Sequence, residues 1–189
     1  YNTPLLDRDN AIIGYVSVAT DITERCQREL LQTTQNRILE RVARGGSLHE
    51  VLSELVSRLN ELTPRQNSAI WLVEDGALVP FVGAQIPENW SQNQLQIAPD
   101  ETPCGRAAYL GERTIVADIS SDPRWSHLRA PAEELGVRAC WSEPIFSERG
   151  KVVGILALHF SQPRSPEPRE LEIAESMARL AALAIARKQ

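Results

Sequence analysis

Leu48, Val51, Leu52, Leu55, Leu59 and Leu62 recur at three- and four-residue steps, so a helix over this stretch carries all six on one face. Gly45-Gly46 interrupts any helix before it, Ser47 is placed to cap the new one, and Pro64 ends it. Burying six such side chains is worth on the order of 10 kcal/mol before chain entropy is subtracted. That gain exists only against a sheet or other helices, so the sequence must supply a partner for this face.

The partner follows directly. From Ser68 the period becomes strand-like: Ser68 to Glu74, a turn at Asp75-Gly76, then Ala77 to Ala84 predict a hairpin. A polar stretch containing Pro87 and Trp90 resists assignment. Beyond it, Cys104 to Leu110 predicts a short helix, Arg113 to Ala117 a strand, and Ser126 to Leu135 a helix or helical loop. Arg138 to Phe146 and Val152 to Phe160 read as strands around Glu148-Arg149-Gly150, and a helix from Arg169 to Lys188, rich in small residues, follows a Pro-rich connection. This order predicts an α+β fold: an antiparallel sheet with helices on one face and a loop-covered cavity on the other.

The first residues are organised differently. Thr3 to Leu6 and Ala11 to Thr20 flank Asp7-Arg8-Asp9-Asn10 and predict a hairpin, which cannot bury an apolar face alone. A polar helix is expected from Thr23 to Arg44, capped by Asp21 or Thr23. Its apolar stripe, Ile22, Cys26, Leu30, Leu31, Ile38, Leu39 and Val42, is too thin for a buried helix and suits a dimer seam or a solvated linker equally.

Composition excludes several functions. The formal net charge is -5 with no clustered Lys/Arg stripe, which argues against nucleic-acid binding through phosphate neutralisation. No run approaches the roughly 20 apolar residues of a membrane span, so direct membrane contact is not expected. Three cysteines, Cys26, Cys104 and Cys140, are an odd number without a CxxC pair; neither a disulfide framework nor a metal site is indicated, and a reducing cytoplasm is the expected setting, although a parent protein could be anchored elsewhere. The chain opens at Tyr1 and holds one Met, Met177, so a piece of a longer protein is expected. The three histidines, His49, His127 and His159, lie in separate elements without a nucleophile motif, and no phosphate-cradling glycine loop is present, so catalysis is not expected.

Asp21-Ile22-Thr23-Glu24-Arg25, after a hairpin through Gly14-Tyr15-Val16, resembles the end of a PAS domain and the start of its signalling helix. From about Ile38 to Lys188 the chain resembles a GAF domain. That likeness is carried by Cys104-Gly105-Arg106-Ala107-Ala108, Val116-Ala117-Asp118-Ile119, Asp122-Pro123-Arg124-Trp125, Gly136 to Ile145 and Val153-Gly154-Ile155-Leu156-Ala157-Leu158. It implies a six-stranded antiparallel sheet, helices on its back, a small-molecule pocket under the loops, and homodimerisation through terminal helices. The division implied is residues 1–25 as the PAS remnant, 26–44 as the linker helix and 45–189 as the GAF domain. The order resembles that of bacterial signalling proteins with GGDEF/EAL cyclic-di-GMP output, and next that of sensor histidine kinases. Signatures of cyclic-nucleotide, bilin and methionine-sulfoxide-reducing members are missing, so the ligand and any cofactor stay unassigned.

Candidate pocket residues are Trp71, Trp90, Cys104, Arg106, Tyr109, Trp125, His127, Cys140 and Ser142, because ligand sites are apolar with a few polar handles. Each also has a plainer reading. The tryptophans and the two cysteines suit a core, His127 a loop cap, and His159, on the face of Val153, Ile155 and Ala157, a satisfied or edge histidine. By alternation Trp141 faces away from Cys140 and Ser142. Ile22, Cys26, Leu30, Ile38, Val42, Met177, Ala181 and Ala184 are the candidate dimer and relay positions. The expected function is a non-catalytic sensor that relays a signal through dimeric helices to a C-terminal output domain. The alternatives are a ligand-free dimerisation spacer, for which a cavity below about 100 Å3 would speak, and a haem or redox sensor.

Overall fold

The computed structural model of the chain describes residues 2–9, 11–17, 23–63, 66–84 and 95–187. It divides into two units, Tyr1–Leu30 and Leu31–Gln189.

In the first unit β1 (Asn2–Leu6) pairs antiparallel with β2 (Ile12–Ser17), from Asn2 opposite Ser17 to Leu6 opposite Ile12. The Asp7 carboxylate shapes the turn by accepting from the Asp9 and Ala11 amides at 2.9 and 2.8 Å. Ile12, Ile13 and Tyr15 are exposed, the expected condition of a hairpin without the remainder of a sheet. The helix α1 (Thr23–Ala43) begins in this unit and ends in the second.

The second unit is built on a six-stranded antiparallel sheet in the order β5-β4-β3-β8-β7-β6. Its strands are β3 (Gln66–Glu74), β4 (Ala77–Val82), β5 (Leu95–Gln96), β6 (Thr114–Val116), β7 (Ala139–Phe146) and β8 (Val152–Phe160). The leucine-faced helix is α2 (Leu48–Leu62). Ser47 Oγ accepts from the Glu50 amide while the Glu50 carboxylate accepts from the Ser47 amide, a reciprocal cap that fixes where the helix starts. Its buried Val51, Leu52, Leu55 and Leu59 pack on Ile70, Leu72, Leu156 and Phe160 of the sheet and on α5 (Pro168–Ala186). The opposite face of the sheet carries α3 (Pro103–Leu110), whose Cys104 and Ala107 meet Ala69, Trp71, Ile155 and Ala157. Beside it a 3-10 turn over Pro123–Leu128 and α4 (Arg129–Glu134) cover Trp125 and Cys140. The two-residue β5 lies within the stretch before Cys104 that had no sequence assignment.

The thin stripe of α1 is more buried than its sequence suggests. Thr34 and Ile38 are fully enclosed, Ile38 in one cluster with α2 and α5, and Leu31 and Val42 pack against that cluster. Two polar residues interrupt the stripe: Thr34 is buried, and Gln35 donates to Ser176 Oγ of α5 at 2.6 Å. Glu54 of α2 holds Arg37 and Arg41 at 2.6 and 2.5 Å along the same seam. The solvated-linker reading therefore fails for the second half of α1. Met177, Ala181 and Ala184 are also interior to this layer, so within one chain they join helix to helix and sheet, and they are not free for an interchain seam. Among the described residues, Leu39 and Leu183 are the exposed large hydrophobic side chains of α1 and α5.

Removing the Ile38 side chain beyond Cβ should therefore cost about 2–5 kcal/mol, while Gln32→Ala, at an exposed position of the same helix, stays within about 0.5 kcal/mol. Urea denaturation of the two variants measures the difference; equal, small losses would mean that α1 is not docked.

Candidate functional site

Alternation along β7 builds the site. Trp141 points to the helical layer, where its ring centroid lies 4.2 Å from that of Phe160 and the Arg164 guanidinium covers both rings. Its neighbours Cys140 and Ser142 point to the other face, under α3. The β7–β8 register sets Cys140 opposite His159 and Ser142 opposite Ala157. Cys104 enters from above, in the first turn of α3, where Thr102 Oγ1 accepts from the Gly105 amide at 2.9 Å. Gly105 is required there: a side-chain carbon on it would overlap the Gln96 carbonyl of β5, so only glycine lets this helix end lie so close to the sheet.

These elements line a half-open cavity of about 90 Å3. Trp71, Cys140 and His159 form its floor, Thr102, Pro103 and Cys104 one side, and Leu128, Ala132, Leu135 and Val137 its outer wall. The volume is well under the roughly 300 Å3 at which ordinary ligand sites begin. It has room for water or a few-atom ligand.

The polar atoms cluster at the floor. Ser142 Oγ lies 3.3 Å from Cys104 Sγ and 3.7 Å from Cys140 Sγ, and the ligand atoms of Cys104, Cys140 and His159 all lie within 4.8 Å of one another. The two thiols are shifted in opposite directions. Cys104 is held below the ordinary thiol range by the hydrogen bond from Cys140, with His159 and Ser142 adding to it against the cost of burial. Cys140 is pushed up for the complementary reason, the charge and hydrogen-bond demand of Cys104, together with burial.

Of the candidate pocket residues, Trp71, Cys104 and Cys140 line the cavity and Ser142 lies buried beside it. Trp125 does not line it and is buried in a neighbouring cluster with Val116 and Ile119. Three more do not face it. Arg106 donates to the Pro99 carbonyl at 3.1 Å, Tyr109 is exposed on α3, and His127 is exposed with its ring nitrogen 2.8 Å from the Glu101 carbonyl. Each has a reason: Arg106 and Tyr109 lie two and five residues past Cys104, about 200° and about 140° around α3, so they point away from the sheet, and the 3-10 turn directs His127 outward. Trp90 and Ile22 lie outside the described residues, and Cys26 and Leu30 lie in α1. His159 is the residue that sequence reading passed over. Its strand face was legible, but its pairing with Cys140 depends on register.

A six-stranded antiparallel sheet with helices on one face and a cavity on the other has the GAF-like α+β architecture. The chain belongs to the GAF domain family, whose model matches residues 45–186. It is 38% identical over 178 residues to the methyl sulfide methyltransferase-associated sensor of Methanosarcina acetivorans, a match that covers 92% of this chain and 18% of that protein. The chain thus spans less than a fifth of that relative's length. Among solved structures, the GAF domain of a phosphoenolpyruvate-protein phosphotransferase from Coxiella burnetii is similar at a TM-score of 0.68 and 20% identity, covering 84% of this chain and 94% of that one. Free methionine-R-sulfoxide reductase from Neisseria meningitidis, in complex with its substrate, is similar at 0.67 and 18%, covering 90% and 94%. At these identities the structural likeness concerns the fold. Among the described residues no helix is long and apolar enough to cross a membrane.

Thiolate absorbance of the reduced, chelator-treated chain should show one thiol ionising below the usual range and another above it. Cys104→Ser should remove the early step. A wild-type titration in which all thiols ionise together near the ordinary value would contradict the opposite shifts of Cys104 and Cys140.

Proposed function

We propose that this chain is a non-catalytic sensory module of a larger signalling protein, in which the state of the Cys104–Cys140–His159 cavity is relayed through the sheet to the helical layer of α1, α2 and α5. One observation carries the reading: β7 presents Cys140 to the cavity and Trp141 to the helices on consecutive residues. A shift of that strand by a fraction of an ångström moves both, because close-packed interiors transmit displacement. The sensor name of the Methanosarcina relative supports this reading, as does the short part of that relative which the chain spans. On the same reading α1 receives input from an upstream PAS domain. α5 leads to an output domain, of cyclic-di-GMP turnover or histidine kinase type, and a homodimer forms across exposed Leu39 and Leu183.

The second reading, a ligand-free dimerisation spacer, is favoured by the cavity volume of about 90 Å3. Against it stands the convergence of two thiols, an imidazole and a hydroxyl on the floor of that cavity, since an apolar core gains nothing from such groups. The redox form of sensing draws on the same thiol pair; the haem form gains no support from so small a volume.

Ala132→Phe fills the cavity from its outer wall without touching the helical layer. Hydrogen exchange should then change in residues 173–185 of α5 and 31–43 of α1 as well as around α3. Changes confined to α3, α4 and their loops would leave the spacer reading standing and remove the relay.

A further inference from the structure

We propose that Cys104, Cys140 and His159 form a mononuclear site for a thiophilic divalent cation of the zinc class, with a fourth coordination position open to the cavity. This names the ligand class of the cavity described above and rests on that reading for its place in signalling, though its chemistry stands alone.

The donor atoms lie within 4.8 Å of one another. Zinc–sulfur and zinc–nitrogen bonds of about 2.3 and 2.0–2.1 Å at tetrahedral angles put neighbouring donors about 3.5–3.8 Å apart. Closing the difference requires side-chain movement of about 1 Å, within reach of side-chain torsions. The backbone has already placed the three residues. Cys140 and His159 are cross-strand partners in the centre of the sheet, and Cys104 is fixed by the capped, glycine-pinned start of α3.

The donor set selects the ion. Two sulfurs and an imidazole suit zinc and related late first-row ions and are poor for magnesium or calcium, which take oxygen. Charge selects in the same direction. The cavity wall is apolar and, among the described residues, no lysine or arginine lines it, so a dication neutralised by two thiolates leaves a site of zero net charge, the form that tolerates burial. The thiol protons leave to solvent on coordination. Ser142 Oγ, beside both sulfurs, can donate one outer hydrogen bond to a bound thiolate.

Three protein donors leave a tetrahedral ion one position short, the arrangement of zinc sites that bind an exogenous group. Here that position faces a space of about 90 Å3, enough for water or a ligand of few atoms. A disulfide between Cys104 and Cys140 would use the same sulfurs, but it would give His159 no part. The convergence of the imidazole on both thiols is what favours the metal.

Titrating the reduced, metal-free chain with Co2+ should give one equivalent of binding, with thiolate-to-cobalt charge-transfer bands in the near ultraviolet and the strong visible bands of a four-coordinate ion. Zn2+ should displace it and raise the melting temperature, an increase reversed by chelator. Cys104→Ser, Cys140→Ser and His159→Gln should each lower the affinity at least about 100-fold, while His127→Gln leaves it unchanged. If a variant does not fold, the wild-type result decides. A wild-type chain that leaves the spectrum of aqueous Co2+ unaltered would overturn the assignment, as would a Cys104–Cys140 disulfide that forms equally fast with excess Zn2+ present. In either of those cases an exchange response of α1 and α5 to Ala132→Phe would still stand for the cavity as a sensor, which separates the two failures.

Discussion

A strand buried on both faces has to divide its residues between two interiors, and β7 does so over almost its whole length, with Phe146 the one exposed position. Period-two geometry allows no compromise: a slip of one residue would drive Trp141 into the cavity and bring Cys140 and Ser142 into the helical core. Hydrogen bonding to β6 and β8 holds the register, from Thr114 opposite Ser142 to Ala139 opposite Phe160. Trp141 then anchors the helical layer through Phe160 and Arg164, while Cys140 takes its place opposite His159. The cavity and the helix packing are therefore set by the same backbone hydrogen bonds.

Where local pattern carried the information, the fold was legible. The helix from Leu48 to Leu62, both main hairpins, the short helix at Cys104 and the last helix all follow from periodicity, caps and turn residues. The two-residue β5 was not, because a pair of residues carries no period; it is a strand only because β4 offers a free edge. The burial of α1 escaped for another reason. Its stripe is interrupted by Thr34 and Gln35, which count as polar in any pattern, yet one is enclosed and the other is bonded to Ser176 across 141 positions of sequence.

The candidate site divides in the same way. Trp71, Cys104, Cys140 and Ser142 could be chosen because a cavity under the sheet needs apolar walls and a few polar atoms. Arg106, Tyr109 and His127 were chosen on the same grounds and face elsewhere, since residue type says nothing about rotation around a short helix or the direction of a 3-10 turn. His159 shows the converse limit. Nothing in the sequence near it marks chemistry; its significance comes from strand pairing with Cys140 and from a helix start that brings Cys104, 55 positions earlier, to the same point.

Cavity size constrains the kind of signal that such a domain can read. A large pocket distinguishes ligands by shape, distributing binding over many weak apolar contacts, and its response is spread over all of its walls. A space of about 90 Å3 cannot do this; whatever enters has few atoms and must bind through strong, short-range bonds. Those bonds are available only at the floor, where thiol, imidazole and hydroxyl groups meet on β7, β8 and the start of α3. Any change in their protonation, coordination or oxidation acts on strands whose opposite faces hold α2 and α5. On the proposed reading, so small a site makes binding and relay the work of the same few side chains.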